Sequence, residues 1–286
     1  IFNKALSSTE VTTLYNEVQC VPTIVPTDHF NTVLWVGSND ATRQITGVGF
    51  SPDWVWIKPR NDSFFWHTLW DRVRGTTKSL FSNEASGEDT NSTRGYLSNF
   101  QSDGFELTRG SNDAGNFGSS GKNVVAWNWK AGGAAVAATS IEATSATRSA
   151  NVDAGFSIIK FQSSASTASP PPMNYIEHGL DATPEMVIYK QTNGVQTWRV
   201  QSAYIQQGQV LLLDLTNGVG TNNATGFFDN TSTSIGVRAN FAIGRDDSYI
   251  AYAFHSVDGY SKIGSYTGTG NASNITVSLG FSPKFL

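Results

Sequence analysis

A phrase that returns three times along the chain limits its architecture more than any composition figure. Pro, a charged residue, a large apolar residue and an aliphatic one follow each other in Pro52-Asp53-Trp54-Val55, Pro184-Glu185-Met186-Val187 and Pro283-Lys284-Phe285-Leu286. Each is approached through a glycine, in Gly49-Phe50-Ser51, Gly179-Leu180-Asp181 and Gly280-Phe281-Ser282. That order reads as a turn feeding a strand, with Pro at the first position, where no ladder donor is needed. The first two phrases run on into Trp56-Ile57-Lys58 and Ile188-Tyr189-Lys190. Both faces of those strands are apolar, which places them centrally in a packed layer.

A second phrase repeats with the first. Val124-Val125-Ala126-Trp127-Asn128-Trp129-Lys130 lines up with Tyr249-Ile250-Ala251-Tyr252-Ala253-Phe254-His255, aromatic for aromatic at alternate positions, the period of a strand. The two phrases keep their order, 75 residues apart in one copy (Pro52 to Trp127) and 68 in the other (Pro184 to Tyr252). A whole domain is therefore duplicated, and the period is too long for a solenoid or propeller. The expected division is 1–28 as the end of a preceding domain, 29–131 as module one, 155–256 as module two and 257–286 as the start of a third copy. The Ala/Ser/Thr-rich tract 132–154 reads as a linker or a short exposed hairpin closing copy one.

Turn signals at Ser38-Asn39-Asp40, Asp103-Gly104, Asn193-Gly194, Asn217-Gly218 and Asp258-Gly259 separate many short strands. The expected fold is all-β, two tandem antiparallel β-sandwiches of jelly-roll-like kind. One short helix is expected over residues 8–17, where Ser7 and Glu10 form a capping box ahead of Val11, Leu14 and Tyr15.

Charged residues are 15% of the 286, the net charge is -4, and Lys and Arg form no cluster, so nucleic acid and anionic lipid have nothing to grip. No apolar run is long enough to span a bilayer. The single cysteine, Cys20, excludes an internal disulfide and a Cys-based zinc site; it reads as a buried small residue or a free thiol. His29, His67, His178 and His255 are spread too widely for a zinc pair. No metal and no cofactor are expected.

The densest polar group is Trp66-His67 followed by Asp71 and Arg74. An acid–base pair could be drawn from it, but no nucleophile or oxyanion donors accompany it, so Asp71–Arg74 is read as a structural ion pair. The equivalent stretch of copy two, around Trp198-Arg199-Val200, keeps the Trp without the His–Asp pair. Glu84, Glu88 and Asp89, like Asp246 and Asp247, read as solvated turn acids. Trp35, Trp54, Trp56, Trp66, Trp70, Trp127 and Trp129, seven of the eight tryptophans, fall in copy one. Those on the alternating strands read as core; Trp66, His67 and Trp70 are the candidate ligand-binding residues, since aromatic faces stack on sugar rings. No catalytic residue is expected.

These residues resemble a known group. Gly49 to Lys58, Asp71-Arg72-Val73-Arg74-Gly75, Ser102-Asp103-Gly104-Phe105 and Val125 to Gly133 are similar to the tandem modules of tailed-bacteriophage virion proteins, notably tail-fibre-like proteins of marine phages. Copy two resembles the same group through Gly155-Phe156-Ser157-Ile158, Tyr249-Ile250-Ala251-Tyr252 and Gly259 to Gly268. The opening, Phe2 to Val11 with Leu14-Tyr15-Asn16, is similar to the closing strand and helix of concanavalin-like, laminin-G-type lectin domains. The resemblance implies a segment of a longer fibrous protein on a virion surface, partnered by other virion subunits as a homo-oligomer and touching host surface glycans. It supplies no catalytic residues. The expected function is a non-enzymatic spacer and host-adhesion element; the alternatives are a polysaccharide depolymerase or glycosidase, and a secreted carbohydrate-binding lectin.

Overall fold

The computed structural model describes residues 5–12, 24–111, 120–206, 208–221, 228–238, 243–270 and 275–286. Cys20 and residues 13–17 of the expected helix lie outside them. Residues 8–12 are helical, opened by the expected capping box. Ser7 Oγ accepts from the Glu10 N–H (3.3 Å), and the Glu10 carboxylate accepts from the Ser7 N–H (2.9 Å).

Among the described residues nineteen strands form four sheets, all pairings antiparallel. The first module contains β1 (Phe30–Val36), β2 (Thr42–Thr46), β3 (Trp54–Pro59), β4 (Thr68–Asp71), β5 (Leu80–Phe81), β6 (Tyr96–Gln101), β7 (Gly104–Thr108) and β8 (Asn123–Trp129). The second contains β9 (Val136–Ala137), β10 (Ser140–Ile141), β11 (Ser145–Asn151), β12 (Phe156–Gln162), β13 (Met173–Glu177), β14 (Met186–Gln191), β15 (Arg199–Ser202), β16 (Gln209–Leu212), β17 (Gly220–Thr221), β18 (Ser234–Arg238) and β19 (Ser248–Phe254).

The duplication is visible in the topology. Sheet order β1-β8-β3-β4-β5 in the first module returns as β12-β19-β14-β15-β16 in the second. The register returns with it: Phe30 and Trp54 flank Trp129, as Phe156 and Met186 flank Phe254. Smaller sheets, β2-β7-β6 and β10-β13-β18, cover the far faces. The β6–β7 hairpin turns through Ser102-Asp103, and Gly104 is required there. Its φ is +144°, and a Cβ would stand 1.9 Å from the Ile45 carbonyl oxygen.

The two modules do not sit end to end with a polar joint. Their larger sheets pack face to face, so the described residues form a stack of four sheets with three apolar cores. The first outer core holds Val33, Trp35, Val55, Ile57, Trp70 and Phe105; the second holds Ile159, Phe161, Val187, Tyr189, Ile235 and Ala251. Between them lies an inner core of Trp54, Leu69, Leu80, Trp129, Phe156, Ile158, Ile188, Trp198, Ile250 and Tyr252. Alternation assigns the residues: Trp54 faces inward and Val55 outward, as Ile188 faces inward and Val187 outward. The unbroken apolarity of β3 and β14 follows from burial on both faces.

The charged residue of the repeated phrase also has a cause. Asp53 accepts from the backbone N–H of Ala131 (2.8 Å), two residues beyond the end of β8, while Glu185 accepts from Ser256 (2.6 Å), two beyond β19. An acid at this place staples the chain as it leaves the central strand. The phrase's lysines are equally matched: Lys58 donates to the carbonyls of Asp62 and Phe65, Lys190 to those of Ala85 and Gln196.

One expected boundary changes. Tract 132–154 is neither a linker nor a hairpin closing copy one, because β9 and β11 extend the inner sheet of module two and β10 its outer sheet. Seven residues of β11 pair with β12, satisfying backbone groups that an Ala/Ser/Thr composition made look solvated. Residues 257–286, expected to open a third copy, carry no strand among the described residues. Lys284 stands where the staple needs an acceptor, and a lysine has none to offer.

Buried His178 in the second module accepts from the Leu180 N–H at Nδ1 (3.0 Å), so Nε2 carries its proton, facing the Thr231 carbonyl (3.2 Å). Burial, with the nearby His255 and Arg148 charges, lowers its pKa despite the Thr231 contact. Burial likewise lowers His29 and His67. Unfolded histidines then bind protons more readily than folded ones. Their stabilising contribution is complete above pH 6.5 and is lost as pH falls through the lower folded values. Urea midpoints are expected to drop between pH 7.5 and 5, and His178→Gln to flatten that slope; an unchanged slope would refute the assignment.

Candidate functional site

The sequence-derived candidates are brought together only in part. Asp71 ends β4, and the turn after it returns Arg74 onto the same carboxylate: Arg74 Nε to Asp71 Oδ2 is 2.5 Å, and the Arg74 N–H donates to Oδ1 at 2.8 Å. Both side chains are fully buried. The guanidinium also donates to the carbonyls of Lys78 (2.7 Å) and Leu69 (3.3 Å) and stands 3.5 Å from Glu88. From the other module, the Tyr252 hydroxyl donates to Asp71 Oδ2 (2.8 Å). Burial opposes the charge on Arg74, but Asp71, Tyr252 and Glu88 outweigh it and hold the guanidinium protonated. Burial and the Asp71 carboxylate raise the Tyr252 phenol well above its usual range. Each partner is thus committed to another, which is the structural ion pair read from sequence, with a tyrosine across the module boundary added.

Trp70 is not available to a ligand. It is 0% exposed in the first outer core, because strand alternation points it away from its neighbours Leu69 and Asp71. Trp66 is half-buried, its ring against Phe81 (4.9 Å between centroids) and beneath the Arg94 guanidinium (5.0 Å). His67 Nδ1 accepts from Trp56 Nε1 at 2.9 Å, so that lone pair is used. The three residues face three different neighbourhoods.

Register corrects a further expectation. Ile57 lies opposite Thr68 and Tyr189 opposite Arg199, so Trp198 occupies the place of His67 and not that of Trp66. A shift of one residue changes the face. From that place Trp198 Nε1 donates across the boundary to the carbonyls of Phe81 (2.8 Å) and Glu84 (3.2 Å).

Those bonds reveal a latch that sequence reasoning missed. Residues 82–90, expected as a solvated acidic turn, are gripped by the second module. Lys190 donates to Ala85 (2.9 Å), Glu88 N–H to Thr192 (2.8 Å) and Gln196 N–H to Ala85 (2.8 Å). Burial lowers the Lys190 pKa to about 8, with Asp214 opposing. The signal available in sequence was the paired Lys58 and Lys190, a charge at the end of an apolar strand. Gly87 admits the close approach, since a Cβ there would lie 2.8 Å from the Thr192 oxygen and 2.9 Å from that of Gly194. Gly87→Val is expected to destabilise the chain by roughly 1–3 kcal/mol in urea titrations; a loss under half that would mean the latch yields freely.

Beside the latch-bearing face, the inner core is incompletely filled. A cavity of about 250 Å³ is lined by Phe30, Trp54, Trp129, Phe156, Met186 and Phe254 and is crossed by the C-terminal segment. Phe285 lies on it, with its ring 5.3 Å from Trp129, 5.6 Å from Trp127 and 6.1 Å from Trp56. Among the described residues no group of three or more His, Cys, Asp and Glu side chains is placed to hold a metal ion.

The family model described as Domain of unknown function (DUF7483) matches residues 25–286. The chain belongs to this family. Its match begins just before β1 and takes in both modules and the C-terminal segment, so the four-sheet stack lies within one family unit. No curated protein and no solved structure matches the chain.

Proposed function

We propose that the chain is a non-enzymatic virion-surface element, a stiff spacer that also contributes to attachment on host surface glycans. The observation that supports this most is the locking of the two modules. A shared aromatic core, the Asp71–Arg74–Tyr252 cluster and the latch at Ala85 fasten one to the other, as a load-transmitting appendage requires. Asp71 and Arg74, two of the residues most suggestive of acid–base chemistry, are absorbed in that locking. Adhesion is assigned to the loop between β3 and β4, where Phe64 is 79% exposed and Trp66 half-buried, with Asn61 and Asp62 beside them. An exposed aromatic next to amide and carboxylate groups suits a sugar ring and its hydroxyls.

Purified protein is expected to bind host cells and a subset of a glycan array, and Phe64→Ser with Trp66→Ser to reduce that binding at least tenfold, while Phe64→Ser alone reduces it without changing the melting profile. Wild-type levels of binding in the double variant would remove the loop from the proposal. Release of reducing ends from host polysaccharide would replace it with a depolymerase.

A further inference from the structure

The third phrase, Gly280-Phe281-Ser282-Pro283-Lys284-Phe285-Leu286, has lost the acid that staples the first two, yet it keeps a large apolar residue after it. By position Phe285 corresponds to Trp54 and Met186, the inward-facing residues of the two central strands. It reaches the same inner core without belonging to a strand. Leu279, Phe281, Pro283 and Phe285 lie along the cavity between the inner sheets, whose walls are almost wholly aromatic and aliphatic. Contact is nevertheless partial: Phe285 remains 41% exposed and Leu286 97%. Residues 264–270 and 275–278 leading to this strap are exposed.

We infer that the apolar surface around this cavity is a receptor groove for the phrase, walled over in cis by residues 279–286 and in trans by the same residues of a second copy of the chain. The groove is continuous with the core that already joins two sheets of this fold, so its chemistry is that of an established interface. An identical strap from another copy makes the same contacts, and residues 264–270 and 275–278 ahead of it are exposed, conditions under which exchange between copies costs little. Exchange of straps would join copies without any new surface. This inference stands independently of the virion assignment.

The test uses a fluorescein-labelled synthetic peptide of residues 279–286 and a chain stopped after residue 274. Fluorescence anisotropy is expected to show saturable binding to the shortened chain. Binding to the full chain should be at least tenfold weaker, because the tethered strap competes at high effective concentration. A peptide with Phe281→Ser and Phe285→Ser should bind at least tenfold more weakly than the natural one. Light scattering should show the full chain forming dimers in proportion to concentration and the shortened chain remaining monomeric. Should the shortened chain fail to fold, the full chain carrying Phe281→Ser and Phe285→Ser replaces it as receptor. Absence of peptide binding to a folded receptor overturns the groove. A full chain that stays monomeric at concentrations where the peptide saturates the full chain itself overturns the exchange.

Discussion

Trp54→Ala is expected to destabilise the protein by about 3–5 kcal/mol, the usual cost of deleting a large buried aromatic. The indole is 2% exposed and stacked on Tyr252 of the other module, with ring centroids 4.3 Å apart and planes at 16°. Trp129 at 4.5 Å and Phe156 at 5.7 Å complete its surround. Its removal empties the centre of the contact between modules while leaving both outer cores intact. Denaturant unfolding followed by circular dichroism should therefore change in shape as well as midpoint, one transition resolving into two. Trp54→Phe should lose less than half as much. A single unbroken transition in the alanine variant would show that the latch and the buried ion pair couple the modules without the aromatic core.

Asp71→Ala is the second. It leaves the Arg74 guanidinium charged in the interior with two carbonyls, the Tyr252 side chain and a more distant Glu88, and it removes the carboxylate to which the Tyr252 hydroxyl donates. Breaking a buried pair from one side costs about 3–5 kcal/mol, whereas replacing both partners with apolar residues of similar volume is often close to neutral. Asp71→Leu combined with Arg74→Met should therefore recover most of the stability lost in Asp71→Ala. Melting of the two variants in parallel decides the matter: a double variant as unstable as the single would mean that the cluster is needed as a network, including its tyrosine.

Much of the fold could be read from one chain because its repeats are written in side-chain types that burial selects. The phrase of Pro, acid and large apolar residue and the alternating aromatics of β8 and β19 marked the central strands of both modules. The capping box marked the start of the helix. The candidate site was less legible. Asp71 and Arg74 were recognisable as partners from spacing alone, being one turn apart. Trp70 was not recognisable as core, because its face depends on which of two sheets lies behind it. Trp198 was misassigned to Trp66 because an indole was matched to an indole, while the ladder aligns it with His67. The large apolar residues of tract 132–154, Val136, Ile141 and Val152, are exposed, so its strands are held by backbone pairing that composition does not reveal.

What the sequence determined by itself was the repeated unit: which segments form the central strands, and that the design occurs twice. Local spacing and residue type carry that information, since alternation and turn chemistry act over a few neighbours. Only the tertiary structure decided that the two inner sheets share one aromatic core, that residues 82–90 are clasped by the second module, and that Phe285 ends on the same surface. Those contacts join residues more than a hundred positions apart, such as Lys190 with Ala85 and Tyr252 with Asp71. No local pattern encodes them, because they arise from the packing of two completed faces and not from the folding of either.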